Sequence, residues 1–207
     1  MKKLCVIGVL LIFSVGAYAQ KIGFKVGANF ANAKIEEDEI SLDTKSKIGI
    51  VAGISADFRI AGGFGINTGV DFCQKGAKQH LDMLGYEFEM SSNLNYIIVP
   101  ARLAYTFEAG SIGIFVEAGP YFGFGLNGKN KMTMEGVTEE EDIEFGSDDE
   151  ADLTNPDIGL SAGVGVYLGP IRAAVNYDPG LVNISNFDSR NIKTGSVIAS
   201  VAFLFLK

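Results

Sequence analysis

The sequence predicts an all-β protein, an eight-stranded antiparallel up-and-down transmembrane β-barrel. Three observations predict this fold. Eight segments alternate apolar and polar residues with the two-residue period of a strand, and the apolar face of each carries almost no charge. The connections alternate between short turns and long loops, as in membrane barrels with short periplasmic turns and long extracellular loops. The strand count is even, so both chain ends fall on the short-turn side.

The N-terminus carries an export signal. Lys2 and Lys3 precede the apolar stretch Leu4 to Val15, and Ala17-Tyr18-Ala19 fits the small-x-small pattern of a cleavage site. A retained anchor helix is the alternative, but the stretch is shorter than the ~20 residues that a spanning helix needs. We therefore expect a signal peptide at residues 1–19, a barrel domain at residues 20–207, and a location in the cell outer membrane.

The eight alternating segments follow in order along the chain. They are Ile22 to Phe30, Ile48 to Ile60, Phe64 to Cys73, Tyr96 to Phe107, Ile112 to Leu126, Ile158 to Leu168, Ile171 to Asp178 and Gly195 to Leu206. Most have the ~9–11 residues of a membrane-spanning strand. A soluble exported β-sandwich would also alternate. We favour the barrel because the face without charge suits hydrocarbon and the glycine-rich, mixed-charge face suits a tight interior.

The connections are of two kinds. The short turns are Ala61-Gly62-Gly63, Glu108-Ala109-Gly110 and Gly169-Pro170, and the predicted long loops run over residues 33–47, 76–93, 127–156 and 179–194. Pro100 lies on the inward face of the fourth strand. Because proline removes a backbone donor from the ladder, we expect a bulge or a strand end there.

Composition excludes several classes of function. Cys5 lies in the signal, so Cys73 is the single cysteine of the mature chain and no internal disulfide can form. With His80 as the one histidine, zinc, haem and iron–sulfur sites lack their usual ligands, and we expect no cofactor. The formal net charge of −8, with no basic face, excludes a nucleic-acid partner.

Charged residues of both signs occupy the predicted inward face of the strands. They are Lys25, Asp57, Arg59, Asp71, Arg102, Glu117, Arg172 and Asp178. These residues could form a polar conduit, or a network of ion pairs that fills the lumen. We favour the network, because eight strands leave little free bore and buried charges must be paired.

The segment from Glu135 to Asp152 is strongly acidic. Its carboxylates could bind Ca²⁺, but their spacing matches no EF-hand loop, and we interpret the segment as a solvated surface loop. His80, near Asp82 in a long loop, is the one candidate for a catalytic base, and a lone loop histidine is usually solvated. The glycine-rich stretches do not open a helix, as a phosphate loop requires. No enzymatic activity is expected.

Two stretches carry recognisable motifs, residues 21–30 with the sequence KIGFKVGANF and residues 94–105 with the sequence LNYIIVPARLAY. They resemble a known family, the PorT-type outer-membrane β-barrel proteins of Bacteroidetes, which are OmpA-like barrels. Glu117-Ala118-Gly119-Pro120-Tyr121 is also similar to the family pattern. The resemblance implies an eight-stranded outer-membrane barrel, and some family members are linked to type IX protein secretion.

These observations lead to two hypotheses about function. The first is a structural or interaction role at the cell surface, with outer-membrane lipid around the barrel and lipopolysaccharide or a secretion or surface protein as partner. The second is a narrow porin-like channel for ions or small solutes.

Overall fold

A computed structural model describes residues 21–37, 40–83, 86–134, 137–146, 151–187 and 190–206. These residues form ten β-strands, numbered here in chain order. The strands are β1 (Lys21–Glu37), β2 (Ile40–Asp43), β3 (Lys45–Ala61), β4 (Phe64–Met83), β5 (Tyr86–Ala109), β6 (Ile112–Met134), β7 (Val137–Ile143), β8 (Asp157–Leu168), β9 (Ile171–Pro179) and β10 (Arg190–Leu206).

Eight of these strands close into a barrel. Each of β1, β3, β4, β5, β6, β8, β9 and β10 pairs antiparallel with the next, and β10 returns to pair with β1 from Lys21↔Leu206 to Glu37↔Arg190. The two remaining strands, β2 and β7, pair only with the far ends of β1 and β6. The predicted eight-stranded, antiparallel, up-and-down barrel is therefore confirmed.

Three tight turns close one end of the barrel, as predicted. Gly62 and Gly63 connect β3 to β4 with φ of 59° and 88°, the two positive values that a type I′ hairpin turn requires. Gly110 and Gly169 adopt positive φ in the other two turns, β5 to β6 and β8 to β9. We call this the short-turn end and the opposite end the long-loop end.

The two faces of the barrel wall are oriented as the sequence predicts. Apolar side chains point outward and form a belt around the barrel, with Phe24 and Val26 each 63% exposed and Val164 58% exposed. The alternate residues point inward and are buried, among them Asn29, Tyr121 and Leu204. An outward apolar belt of this kind needs an apolar surrounding, because water would leave all of that surface hydrated.

The wall extends beyond the belt into the segments predicted as long loops. β1 continues to Glu37, β4 to Met83 and β6 to Met134, so much of residues 33–47, 76–93 and 127–143 is strand. His80, predicted in a loop, lies on β4 opposite Glu89 of β5. The sequence missed these extensions because the wall reverses its polarity above the belt, as described below.

Pro100 lies inside β5 rather than at a strand end, and the nearest irregularity of the β5–β6 register is at Asn95 and Tyr96. The register between β4 and β5 is the same on both sides of Pro100. Thr68 of β4 donates its hydroxyl to the Pro100 carbonyl at 2.6 Å, so the ladder is held there by a side chain.

The predicted signal peptide, residues 1–19, lies outside the described residues. No helix among the residues that the structure describes is long and apolar enough to cross a membrane.

Candidate functional site

The barrel interior holds most of the predicted site residues. Seven of the eight are buried there at 6% exposure or less: Lys25, Asp57, Asp71, Arg102, Glu117, Arg172 and Asp178. Arg59 does not join them. Its side chain is 57% exposed at the short-turn end, where it lies 3.2 Å from Glu108. Arg59 is two residues beyond Asp57, at which the pairing of β3 with the described part of β1 ends.

Glu117 on β6 is the centre of the network. Its Oε2 accepts hydrogen bonds from Arg172 of β9 and from the amide of Asn67 of β4, both at 2.6 Å. Its Oε1 accepts one from Asn176 at 2.7 Å and lies 3.8 Å from Arg102 of β5. Strands from opposite sides of the barrel thus converge on one carboxylate.

Two further ion pairs flank this centre. Arg102 donates through Nε to Ser161 at 2.6 Å and lies 3.5 Å from Asp178, and Ser161 also donates to Asp178. Lys25 of β1 pairs with Asp71 of β4. These contacts continue the network across the lumen from β1 to β9.

Toward the short-turn end, Tyr167 donates its hydroxyl to Asp57 at 2.9 Å. The ammonium of Lys21 lies 5.4 Å from the centre of the Tyr167 ring, a cation–π distance. The Arg172 guanidinium stacks 4.9 Å from the centre of the Phe115 ring, which is fully buried. Aromatic rings therefore fill the space between the charged groups.

Toward the long-loop end, sequence reasoning missed the most deeply buried ion pair. Lys75 of β4 lies 2.8 Å from Asp157 of β8, with side-chain exposures of 1% and 0%. Asp157 also accepts hydrogen bonds from Thr194 at 2.8 Å and Tyr121 at 3.3 Å. The sequence pattern could have identified Lys75 as an inward residue, because it continues the two-residue series of Asp71 and Cys73.

The interior as a whole is filled and nearly balanced in charge. Five carboxylates and four cationic side chains are buried among the described residues, and Lys21 stands at the short-turn mouth. Asp57 accepts one hydrogen bond, from Tyr167, and each of the other buried charges has an opposite charge within 4 Å, so the network can persist without water around it. As a result, these side chains obstruct the lumen at several levels.

Above the belt, the wall reverses its polarity. On the outer face of β6 and β7, Lys131 pairs with Glu140, and Lys129 lies 3.5 Å from both Glu140 and Asp142. Below this level, the outer face of β6 carries apolar residues such as Val116 and Leu126. The change coincides with the irregular register between Asn95 and Tyr96, where β6 advances from Gly125 to Asn127 and shifts the alternation by one residue.

These charges on the outer face alter each other's proton affinity. The hydrogen bond and charge of Lys131 hold the pKa of Glu140 below its usual value. The charges of Asp142 and then Glu140 raise the pKa of Lys129. The acidic segment predicted as a loop is therefore partly the strand β7, and its outward carboxylates are held by lysines.

Inside this upper wall lies a cup of about 660 Å³ that opens at the long-loop end. A buried apolar cluster forms its floor, with Leu94, Ile143, Leu153 and Ile184 at 8% exposure or less. A second recess of about 500 Å³ opens at the short-turn end, lined by Asp57, Tyr167 and the Gly62–Gly63 turn.

No group of three or more histidine, cysteine or acidic side chains that could hold a metal ion is found within the described part of the chain. Cys73 is a buried free thiol in the lumen, and the amide of Asn29 lies 3.3 Å from its sulfur.

A closed barrel with an apolar outer belt and a polar, obstructed interior defines a membrane β-barrel. The sequence matches the family described as "Outer membrane protein beta-barrel domain" over residues 18–186. The chain belongs to this family, and its place is the outer membrane. The short-turn end is therefore periplasmic and the long-loop end extracellular.

Solved structures of similar shape include three outer-membrane proteins. Ail of Yersinia pestis, in complex with the heparin analogue sucrose octasulfate, is 16% identical, with a TM-score of 0.41 over 89% of this chain and 98% of that one. OprG from Pseudomonas aeruginosa is 10% identical, with a TM-score of 0.46 over 92% and 98%. Neisserial surface protein A is 18% identical, with a TM-score of 0.37 over 88% and 97%. No curated protein matches this chain.

Proposed function

We propose that the protein is a closed outer-membrane barrel that serves as a structural or interaction element at the cell surface and conducts no solute. The observation that carries this proposal is the convergence of Arg102, Arg172, Asn67 and Asn176 on Glu117 in the middle of the lumen. A solute crossing the barrel would have to separate these groups. Removing one member from such a buried set costs about 3–5 kcal/mol, which makes spontaneous opening rare.

The alternative is a narrow porin-like channel, in which the same charges form a gate. A planar-bilayer recording of the refolded mature protein distinguishes the two. We expect no sustained unit conductance, whereas a 16-stranded porin reconstituted in parallel shows its open channel. A reproducible unit conductance from the wild-type barrel would reject the closed-lumen proposal.

The extracellular end is the part available for contacts. It consists of strand extensions stiffened by ladder pairing and by the ion pairs of Lys129 and Lys131, so it offers a fixed shape above the lipid. Lipopolysaccharide or a surface protein is the partner that we propose for it. The barrel wall itself contacts outer-membrane lipid through its apolar belt.

The resemblance to PorT-type barrels of Bacteroidetes supports a further proposal, a link to type IX protein secretion. Deletion of the gene in its host, followed by quantitation of secreted cargo proteins, tests this link. Unchanged secretion in the deletion strain would remove the link and leave the structural role in place.

We propose no catalytic role. The one histidine of the sequence, His80, lies on β4 above the belt, and Ser161, one of the buried serines, donates to Asp178 and not to a histidine. An assay with generic ester and peptide substrates tests this, and turnover abolished by a His80→Ala change would contradict it.

A further inference from the structure

The extracellular cup has an inner wall of unusual composition for a surface exposed to water. Met90 of β5 and Met132 of β6 are cross-strand partners that both line the cup, and they are 40% and 45% exposed. Phe187, 52% exposed, faces the same space. Together with the buried apolar floor, these side chains give the cup a lining that would be more stable in contact with an apolar ligand.

Polar side chains and several carboxylates also line the cup, and two of the carboxylates lie on β7 beside the apolar floor. Ile143 of β7 is buried in the floor, and the residues two and four positions before it, Glu141 and Glu139, therefore point to the same inner side. Glu139 is the cross-strand partner of Met132, which places a carboxylate beside the methionine pair.

Lys78 and Lys131 also line the cup, and both are already paired with other carboxylates. Lys131 pairs with Glu140, and Lys78 lies 3.9 Å from Glu89. Lys47 donates to the Ser92 carbonyl at 3.3 Å. No cationic group of the described chain lies within 4 Å of Glu139 or Glu141. The cup is thus a cavity with a mixed lining, in which apolar side chains lie beside the carboxylates of Glu139 and Glu141, and these two carboxylates have no cationic partner among the described residues.

We propose that the cup binds a small amphipathic cation, a compound with an ammonium or guanidinium head on an aliphatic or aromatic body. The body would contact Met90, Met132 and Phe187, and the head would receive charge-assisted hydrogen bonds from Glu139 and Glu141. The volume of about 660 Å³ lies within the ~300–1,000 Å³ range of small-molecule sites. This inference deepens the proposed function, because it names the ligand class of the same extracellular end.

The floor of the cup separates this ligand from the lumen. Thr194 lines the cup and donates to Asp157, which pairs with Lys75 directly beneath. Binding therefore ends at the floor, and ligand occupancy and conductance are independent measurements.

The methionines make the test direct. The mature chain contains four, Met83, Met90, Met132 and Met134, and all lie on the strand extensions above the belt. Mature protein labelled with ¹³C-methyl methionine is refolded into nanodiscs and titrated with benzylammonium chloride. Benzyl alcohol (same body, no charge), methylammonium (same charge, no body) and benzoate (opposite charge) are the matched ligand controls.

We expect saturable shifts of the Met90 and Met132 methyl signals with benzylammonium, and at least about tenfold weaker binding of the three controls, since a hydrogen bond to a charged group contributes about 1.5–3 kcal/mol. The double variant Glu139→Gln/Glu141→Gln should lose affinity about tenfold or more. Its control is Asp142→Asn, which changes a carboxylate of the same strand that pairs with Lys129 outside the cup lining and should keep wild-type affinity. Heat-modifiable gel mobility verifies that each variant is a folded barrel.

Three outcomes would overturn the proposal. Benzyl alcohol binding as tightly as benzylammonium would show a purely apolar cup. Unchanged affinity in Glu139→Gln/Glu141→Gln would remove the role of the carboxylates. Absence of any saturable methionine shift would show that the cup takes no cation of this class, while a silent bilayer recording would still support the closed lumen.

Discussion

Glu117 is the single residue on which the interior depends most, because two guanidinium groups and two amides point at its carboxylate. A Glu117→Gln change leaves Arg172 buried without its ion-pair partner, while Arg102 keeps Asp178 at 3.5 Å. We expect the free energy of unfolding to fall by about 3–5 kcal/mol, the usual cost of breaking a buried pair from one side. Guanidinium unfolding of the refolded barrel in phospholipid vesicles measures this difference.

The matched control is the exposed pair at the periplasmic end. Glu108 lies 3.2 Å from Arg59 with its side chain 68% exposed, so Glu108→Gln should change stability by about 0–1 kcal/mol. Equal effects of the two changes would contradict the view that the network in the lumen, rather than charge pairing in general, holds the barrel.

For single residues, the sequence predicted most of the charged side chains that point into the lumen, but it did not predict which groups they contact. Alternation assigns a side chain to a face, so Lys25, Asp71 and Glu117 could be placed in the lumen from the sequence. It cannot tell how far along the axis the closed barrel extends. Arg59 follows the same alternation and yet lies in solvent, whereas Lys75 lies just beyond the predicted strand and is the most buried lysine of the described chain.

Among the strands, β8 shows how closely the wall packs on the interior. A Cβ added at Gly165 would lie 2.3 Å from the Ala173 carbonyl oxygen and 2.4 Å from the Phe115 ring. Because neither a ladder carbonyl nor a fully buried ring can move freely, Gly165→Ala should destabilise the barrel by about 1–3 kcal/mol. Heat-modifiable gel mobility as a function of temperature reports the loss.

The same substitution on a neighbouring strand is the control. At Gly123 of β6 the nearest heavy atom to an added Cβ is the Asp157 carbonyl oxygen at 3.3 Å, so Gly123→Ala should destabilise the barrel clearly less than Gly165→Ala. If Gly123→Ala proved as damaging as Gly165→Ala, the general loss of a strand glycine rather than the local collision would be responsible.

The β6–β7 hairpin should respond to acid before the barrel does. The pKa of Glu140 is lowered by Lys131, so this interaction contributes fully above the unfolded pKa of a glutamate and disappears as pH falls through the lower, folded pKa. Lys129, whose pKa is raised, loses its contribution only at alkaline pH above its ordinary value of 10.5.

Amide hydrogen exchange of residues 128–143 checks this expectation. Exchange, corrected for its intrinsic pH dependence, should accelerate in the hairpin at acidic pH while β1 and β10 stay protected. In Glu140→Gln the acid-induced change should be smaller. An identical acid response in wild type and variant would show that Glu140 plays no part.

The strand extensions are the part of the fold that the sequence could not give. A prediction based on apolar outward residues stops where that pattern ends, near Leu126 on β6 and Ile97 on β5. Above that level the strands continue with charged residues outward and Met132 or Ile143 inward, and an irregular register displaces the alternation by one residue. The exchange of polar and apolar faces and the one-residue displacement of the alternation together made these ordered strands resemble loops in the sequence.

Along its axis, the whole molecule has two regions, a belt that suits hydrocarbon and an extracellular extension that suits water. Around the belt the outer surface is apolar and the interior is polar, whereas the extracellular extension places lysines and carboxylates outside and apolar side chains inside. This arrangement follows from hydrocarbon around the first part and water around the second. Like β1, β4 and β5, the strand β6 crosses both regions, and it therefore allows a comparison within a single element.

Placing an arginine at two levels of β6 tests this division. Val116 points outward within the belt, opposite Val164 of β8, and Thr133 lies on the outer side of the extension, 3.0 Å from Thr138. Val116→Arg should lower the free energy of unfolding of the barrel in phospholipid vesicles by about 2–4 kcal/mol, because hydrocarbon at that depth penalises the charge. Thr133→Arg should change it by less than about 1 kcal/mol, since its side chain remains in water. Guanidinium titrations of both variants in the same vesicles supply the measurement. A Val116→Arg barrel as stable as wild type would place the lipid boundary elsewhere along the strand, and a large loss in Thr133→Arg would mean that the extension, too, is immersed.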